Sequence, residues 1–369
     1  MAKDVKKGSV VQVPEFINNL MDEYRKNGIC MESGRVSCEF FDTGNIALNF
    51  ILSGNFDYGW PETQVTIISG DPATGKSLLM KNAIAEFLKK HKDGVAILDD
   101  TENAYVDYLG EIQDIDETRF IRISTDSVEE HSALVFDGVR DENPKATKLK
   151  VEPVVPKLCA GGMKHVLVVV DSIAAWSTEH ELEVGLSKSD MSKPKVLKAL
   201  FRTVKDDIKK YNVTYMVTNH LIWKIGDIFT PAKQIEPGGG GPAFQASVRV
   251  CLALAAKLKT KGSEKVKHEV NNIIGVLIKA QTQKNRFSPP FKTCDLKIFF
   301  DRGVDRYSGL VPLLECLGVI RLGDGGWYEV TGTKTKFQSK DIAEKWPELK
   351  KLIKPENVKM RGLKDVETE

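Results

Sequence analysis

The chain has 369 residues, 41% of them hydrophobic and 28% charged, with a net charge of +2. That balance suits a soluble globular protein with a sizeable core, and the near-zero net charge gives no ground for a global polyanion-binding role. No apolar run approaches membrane-spanning length and no secretory leader opens the sequence, so a cytoplasmic protein with no membrane partner is expected. Cys30, Cys38, Cys159, Cys251, Cys294 and Cys316 lack metal-ligand or disulfide spacing and read as reduced thiols.

In chain order, residues 1–60 mix charge with small apolar clusters and read as a helical N-terminal element and linker. Phe40 and Phe41 are candidate anchors there for a neighbouring subunit. Residues 61–310 form the expected core. Buried strands at 64–69, 94–99, 165–171, 213–218, 247–254, 272–280 and 294–300 alternate with amphipathic helices, which predicts an α/β fold on a mostly parallel sheet. A helix follows Pro194, with Val196, Leu197, Leu200, Phe201, Val204 and Ile208 along one face. Residues 311–369 read as a small C-terminal region, mobile after Pro355. Residues 257–306 hold twelve Lys/Arg against five Asp/Glu, a local basic excess that fits a solvated face as well as a nucleic-acid surface.

The first strand runs into Gly70-Asp71-Pro72-Ala73-Thr74-Gly75-Lys76-Ser77, a complete phosphate-binding loop, and Leu78 opens the apolar face of the helix behind it. Glycines turn backbone N–H groups towards the phosphates, Lys76 supplies a point charge, and the Ser77 hydroxyl can ligate Mg²⁺. The helix N-terminus adds a dipole facing the anion. The strand 165–171 ends in Asp171, a carboxylate suited to hold Mg²⁺ beside Ser77 through water. The strand 94–99 ends in Asp99-Asp100-Thr101-Glu102. Strand C-termini converge on the ligand crevice of such sheets, and Glu102 is the choice for orienting the attacking water, with Asp100 as its neighbour.

The strand 213–218 ends in Asn219-His220, a polar pair that can sense a γ-phosphate. It leads into residues 221–241, where Trp223, Lys224, Phe229 and Lys233 precede a run of glycines including Gly239 and Gly240. Aromatics, lysines and glycines in a long loop suit single-stranded nucleic acid, through stacking and phosphate contacts. Lys284 and Arg286 lie two residues apart on an extended segment, on one side of it, and can stabilise phosphoryl-transfer charge within the chain or in a neighbouring subunit.

Taken together these segments resemble the RecA-type ATPase core, and more narrowly the UvsX-type recombinases of T-even-like bacteriophages. The resemblance runs from about Thr43 to Val330. It is carried by Asn45-Ile46-Ala47-Leu48, the phosphate loop, Asp100-Thr101-Glu102, Val169-Val170-Asp171-Ser172, Ser189-Asp190-Met191, Leu200-Phe201-Arg202, Thr218-Asn219-His220, Gly239-Gly240-Gly241-Pro242, Lys284-Asn285-Arg286, Tyr307-Ser308-Gly309-Leu310 and Gly326-Trp327-Tyr328. It implies an ATP- and Mg²⁺-dependent recombinase that forms helical filaments on single-stranded DNA and pairs it with homologous duplex, in the host cytoplasm, aided by a single-strand-binding protein and a loader. It further implies that Glu102 is the catalytic glutamate and that His220 reads the γ-phosphate and moves a DNA loop at 221–241. A first DNA loop falls at 178–192 with Lys188 and Lys193. Tyr108, or Tyr105, stacks on adenine, and Lys284 and Arg286 reach ATP across a subunit interface. A hexameric replicative helicase uses the same core but normally carries a larger N-terminal domain. A non-catalytic recombination mediator would not need Lys76, Glu102 and Asp171 all intact.

Overall fold

The computed structural model describes residues 38–104, 114–136, 152–185, 192–224, 233–260 and 273–353, with Asp22, Glu23 and Lys26 near the start. Tyr105, Tyr108, Lys188 and Phe229 fall outside the described residues. For Trp223, Lys224 and Lys233 only the backbone is described.

Nine strands build the central sheet: β3 (Val65–Gly70), β4 (Gly94–Asp99), β5 (Phe120–Ile123), β6 (His165–Val170), β7 (Val213–His220), β10 (Val248–Lys259), β11 (Ile273–Asn285), β12 (Thr293–Phe299) and β13 (Gly303–Val304). Their order is β13-β12-β11-β10-β3-β7-β6-β4-β5. Pairing is parallel from β10 through β5 and antiparallel from β10 through β13. The central strands are near-continuous apolar runs because both faces are covered, and period-two alternation sorts their side chains between the faces. Leu167 and Val169 of β6 join a core with Leu79, Ala83, Ile84 and Phe87 of α2 (Lys76–Lys90). Val166, Val168 and Val170 join the opposite core with α3 (Val128–Val135), α4 (Val154–Ala160) and α6 (Lys193–Tyr211). The expected face of α6 is the buried one: Leu197, Leu200, Phe201, Val204 and Ile208 are each at most 3% exposed, worth about 1.5–3 kcal/mol apiece.

The expected boundary at residue 60 does not separate compact units, since Glu39–Glu369 clusters as one. The ribbon β1 (Phe40–Phe41) and β2 (Trp60–Pro61) and the helix α1 (Ile46–Ser53) pack into the core. Phe41 is fully buried, edge-on to Phe87, and Phe40 packs edge-on to Phe287, so Phe41 is core rather than a subunit anchor. Two motifs far apart in sequence meet here. Asn45 caps α1 by accepting from Leu48 N, while its Nδ2 reaches Asp305 O at 2.8 Å and Ser308 O at 3.0 Å. The helices α8 (Leu310–Cys316) and α9 (Ile342–Leu352) and the small sheet β14 (Ile320–Leu322), β15 (Trp327–Val330) and β16 (Lys336–Gln338) share a third core with Ile46, Phe50 and Phe56.

Candidate nucleotide site

The parallel strands deliver their C-terminal ends to one edge. Gly70 is in register with Leu252 on one side and His220 on the other, and Asp99 is in register with Val170. At Gly70 a Cβ would lie 2.6 Å from the Leu252 carbonyl oxygen and 2.8 Å from Thr74 Oγ1, so the loop can turn there only without a side chain. Gly75 has φ +80°, and a Cβ on it would sit 2.6 Å from Ile298 Cδ1. It is the N-cap of α2 and no side chain caps that helix, which leaves first-turn N–H groups for an anion.

Lys76 is buried, with Nζ donating to the carbonyls of Gly70 and Asp71 at 3.0 Å each. Burial pushes its pKa down, against the pull of Asp171, Glu102 and Asp71, and the net direction is downward. A phosphate would replace those two carbonyls as a partner with matching charge. Thr74 donates to Asp71 O at 2.8 Å, folding the loop on itself, and Asp71, Pro72, Ala73 and Ser77 are exposed. Leu78 points into the core, so it supports the loop through packing and not as a side-chain ligand contact.

Across the edge, Asp171 follows β6 and Glu102 follows β4. Thr101 N donates to Asp171 O at 3.1 Å, and Asp171 N donates to Asp99 O at 2.9 Å. Thr101 Oγ1 lies 2.8 Å from both the Ser172 carbonyl and the Ser172 N–H. The peptide between Asp171 and Ser172 is cis. Asp171 Oδ1 accepts from Thr218 Oγ1 at the end of β7. Asp171 and the Ser77 hydroxyl are a carboxylate and a hydroxyl, a donor set that fits a hard, oxygen-seeking cation.

Glu102 Oε1 accepts from Ser172 Oγ at 2.6 Å and faces His220 Nε2 at 2.7 Å. Burial alone would raise its carboxyl, but those two hydrogen bonds and the charges of His220 and Lys76 outweigh it and hold the group below its ordinary value. Asp100 is buried and accepts from Ala104 N at 3.0 Å, shaping the turn that presents Glu102. Asp99 faces away from this edge: it holds Thr125 and His131 inside the core, and His131 in turn meets Tyr215.

His220 begins the segment read as a DNA loop. The described part of that segment is not all loop, because β8 (Ile222–Lys224) pairs antiparallel with β9 (Lys233–Ile235) as a two-stranded ribbon. Ile222 and Trp223 are good strand residues, and a sequence rich in Gly and Pro hid that tendency. The segment's far end is fastened next to His220, with Asn219 Nδ2 donating to Pro237 O at 3.1 Å and Arg249 paired to Glu236 at 2.7 Å. Gly239 and Gly240, expected in the loop, instead open the short helix α7 (Gly240–Gln245).

The other expected residues lie elsewhere. Lys193 is turned inward, its Nζ donating to Ala174 O at 2.7 Å, and burial lowers its pKa, so its charge is held against the chain and not presented at 178–192. Within that range α5 (Glu179–Val184) is helical. Lys284 pairs with Arg249 across β10 and β11, and its Nζ donates to the carbonyls of Ala243 and Phe244 at the end of α7. Burial, Arg286 and Arg249 all lower its pKa. Arg286 N donates to Ser247 O, whose own N–H donates to Val65 O at the start of β3. Five residues of parallel strand, about 17 Å, therefore separate Arg286 from the phosphate loop of its own chain. Thr101, Ser172 and Thr218, not among the expected site residues, knit the site together; their one signal in the sequence is a hydroxyl near the C-terminal end of a buried strand.

A model of the RecA N-terminal domain matches residues 152–305. The RecA protein of Synechococcus sp. (strain CC9902) is 27% identical over 318 residues, covering 86% of this chain and 74% of the relative. RecA of Chloroherpeton thalassium is 26% identical over 333 residues, covering 89% and 83% respectively. RecA of Bacteroides thetaiotaomicron is 26% identical over 331 residues, 88% and 89%. Similarity of that extent takes in the phosphate loop, which the family-model match does not reach. The chain is therefore similar to RecA proteins over most of its length, and to the RecA N-terminal domain across its middle.

Proposed function

We propose that the protein is an ATP-dependent DNA recombinase of the UvsX type, which polymerises on single-stranded DNA and exchanges it with a homologous duplex. The observation that carries the reading is the 2.7 Å contact between Glu102 and His220, because it joins the hydrolytic edge of the site to the segment 221–241. ATP would lie on Gly70–Ser77 with its phosphates against Lys76 and the first turn of α2. Ser77 and Asp171 would hold Mg²⁺, which offsets charge at the β- and γ-oxygens when bound. Glu102, kept ionised by its partners, orients and polarises water for attack on the γ-phosphate.

His220 is shared. It faces Glu102 at 2.7 Å, and a γ-phosphate beside it would offer a competing acceptor. Moving His220 to that acceptor frees Glu102 and shifts the start of the 221–241 segment, while Asn219 keeps the segment's far end in place. ATP binding would so be linked to DNA grip, and by reciprocity DNA would favour the ATP-competent state. Trp223, Lys224, Phe229, Lys233 and Lys188 are the proposed DNA contacts, and Tyr108 the proposed adenine partner. Lys284 and Arg286 are too far along the strand to act on their own chain's nucleotide, which favours action on a neighbour's within a filament.

Single-stranded-DNA-stimulated ATP turnover tests the reading, with electron microscopy of the protein on single-stranded DNA and a non-hydrolysable ATP analogue. Helical filaments and DNA-stimulated turnover are expected. Closed hexameric rings would favour a helicase, and nucleotide binding without turnover would favour a mediator.

A further inference from the structure

At the sheet edge remote from the phosphate loop lies a polar cluster that the proposed ATP chemistry leaves unused. Glu62 precedes β3, His91 follows the last turn of α2, and His165 opens β6. One ligand atom from each lies within 4.8 Å of the others. Glu62 and His91 are buried and His165 is half-buried. His91 Nε2 is 3.0 Å from Glu62 Oε2, and the two imidazoles stack with centroids 3.9 Å apart and planes 25° from parallel.

We propose that Glu62, His91 and His165 form a binding site for one zinc-type divalent cation, which fastens the lead-in of β3, the end of α2 and the start of β6 to one another. Two imidazoles and a carboxylate are a donor set for zinc and its neighbours, whereas Mg²⁺ prefers oxygen ligands throughout, so the two cations would not compete for this site. Outer partners already aim the ligands. Lys90 Nζ holds Glu62 Oε1 at 2.6 Å, which leaves Oε2 facing His91, and the His91 backbone N–H is fixed to Phe87 O at 2.9 Å.

Asn212 Nδ2 lies 3.1 Å from His165 Nδ1, and Asn212 Oδ1 accepts from Thr63 Oγ1. When His165 ligates through Nε2, its Nδ1 carries the proton. Asn212 Nδ2 stays on Lys164 O at 2.9 Å, so a small turn of the imidazole takes that proton to water on the half-buried side. Ligands about 2.0–2.1 Å from a tetrahedral zinc stand roughly 3.3 Å apart, so the cluster closes by side-chain rotations of about an ångström. The half-buried side of His165 leaves access for water as a fourth ligand.

The test is calorimetric titration of metal-free, full-length protein with ZnCl₂ in excess Mg²⁺, with metal content measured after dialysis. The wild type is expected to hold one zinc per chain and to melt several degrees higher with zinc than without. His91→Ala and His165→Ala should each weaken binding at least 10-fold and remove the thermal shift, while Cys38→Ser leaves both unchanged. His165 is half-buried, so its variant should fold even if the His91 variant does not, and circular dichroism checks each. Co²⁺ in place of zinc should show no thiolate charge-transfer band. Absence of zinc binding in wild type, undiminished binding in folded His165→Ala, or a thiolate band would overturn the proposal.

Discussion

Glu102 is fixed by two short contacts, from Ser172 and His220, and both favour its ionised form. Glu102→Gln keeps the shape and removes the charge, so ATP binding should persist while DNA-stimulated turnover falls at least about 100-fold, measured by phosphate release. His220→Ala should spare basal turnover within about 10-fold but remove most of its stimulation by single-stranded DNA, because the coupling contact is gone. The acid side of the pH profile follows from the sign of the Glu102 shift. Its folded pKa lies below the ordinary 4.5, so its stabilising contacts are present above that value and fade only as pH falls through the folded pKa. An acid limb of turnover near neutrality that disappears in Glu102→Gln would contradict this assignment. That the loop, Asp171 and Glu102 lie at the same end of the sheet was legible in the sequence, because each follows a buried parallel strand. Thr101, Ser172 and Thr218 were not, since a hydroxyl at a strand end looks the same whether it caps a turn or holds a carboxylate.

The strong strands and α6 were legible because burial on both sheet faces produces apolar runs, and one-sided burial produces a helical stripe. The four-residue edge strand β5 was missed, since Phe120–Ile123 alternates with charge and leans on β4 along one side only. Phe41 was misjudged for a related reason. Two phenylalanines ahead of the core look like an external patch until the ribbon with Trp60 and Pro61 folds them inward. Asn45 shows how one residue can tie elements 260 positions apart: it caps α1 and satisfies carbonyls at Asp305 and Ser308. Asn45→Ala should lower unfolding free energy by about 2–4 kcal/mol in urea, adding a lost cap to unsatisfied buried groups. A change under about 0.5 kcal/mol would mean that the junction is already held by packing.

At the scale of the whole molecule, the phosphate loop and the Lys284–Arg286 pair sit towards opposite ends of the strands. A filament in which each subunit presents these cations to its neighbour's nucleotide makes a complementation prediction. Lys76→Ala and Arg286→Ala should each be nearly inactive alone, yet an equal mixture should recover roughly one quarter of wild-type turnover, because about that share of interfaces pairs an intact loop with an intact arginine. No recovery on mixing would place Arg286 outside the neighbour's site. The most direct measurement is joint-molecule formation between single-stranded DNA and a homologous supercoiled duplex, with ATP and Mg²⁺, comparing wild type with Lys76→Ala. Joint molecules from wild type, none from Lys76→Ala and none with heterologous duplex are the predicted result. A wild-type protein that hydrolyses ATP but forms no joint molecules, or a Lys76→Ala protein that forms them equally well, would contradict the account.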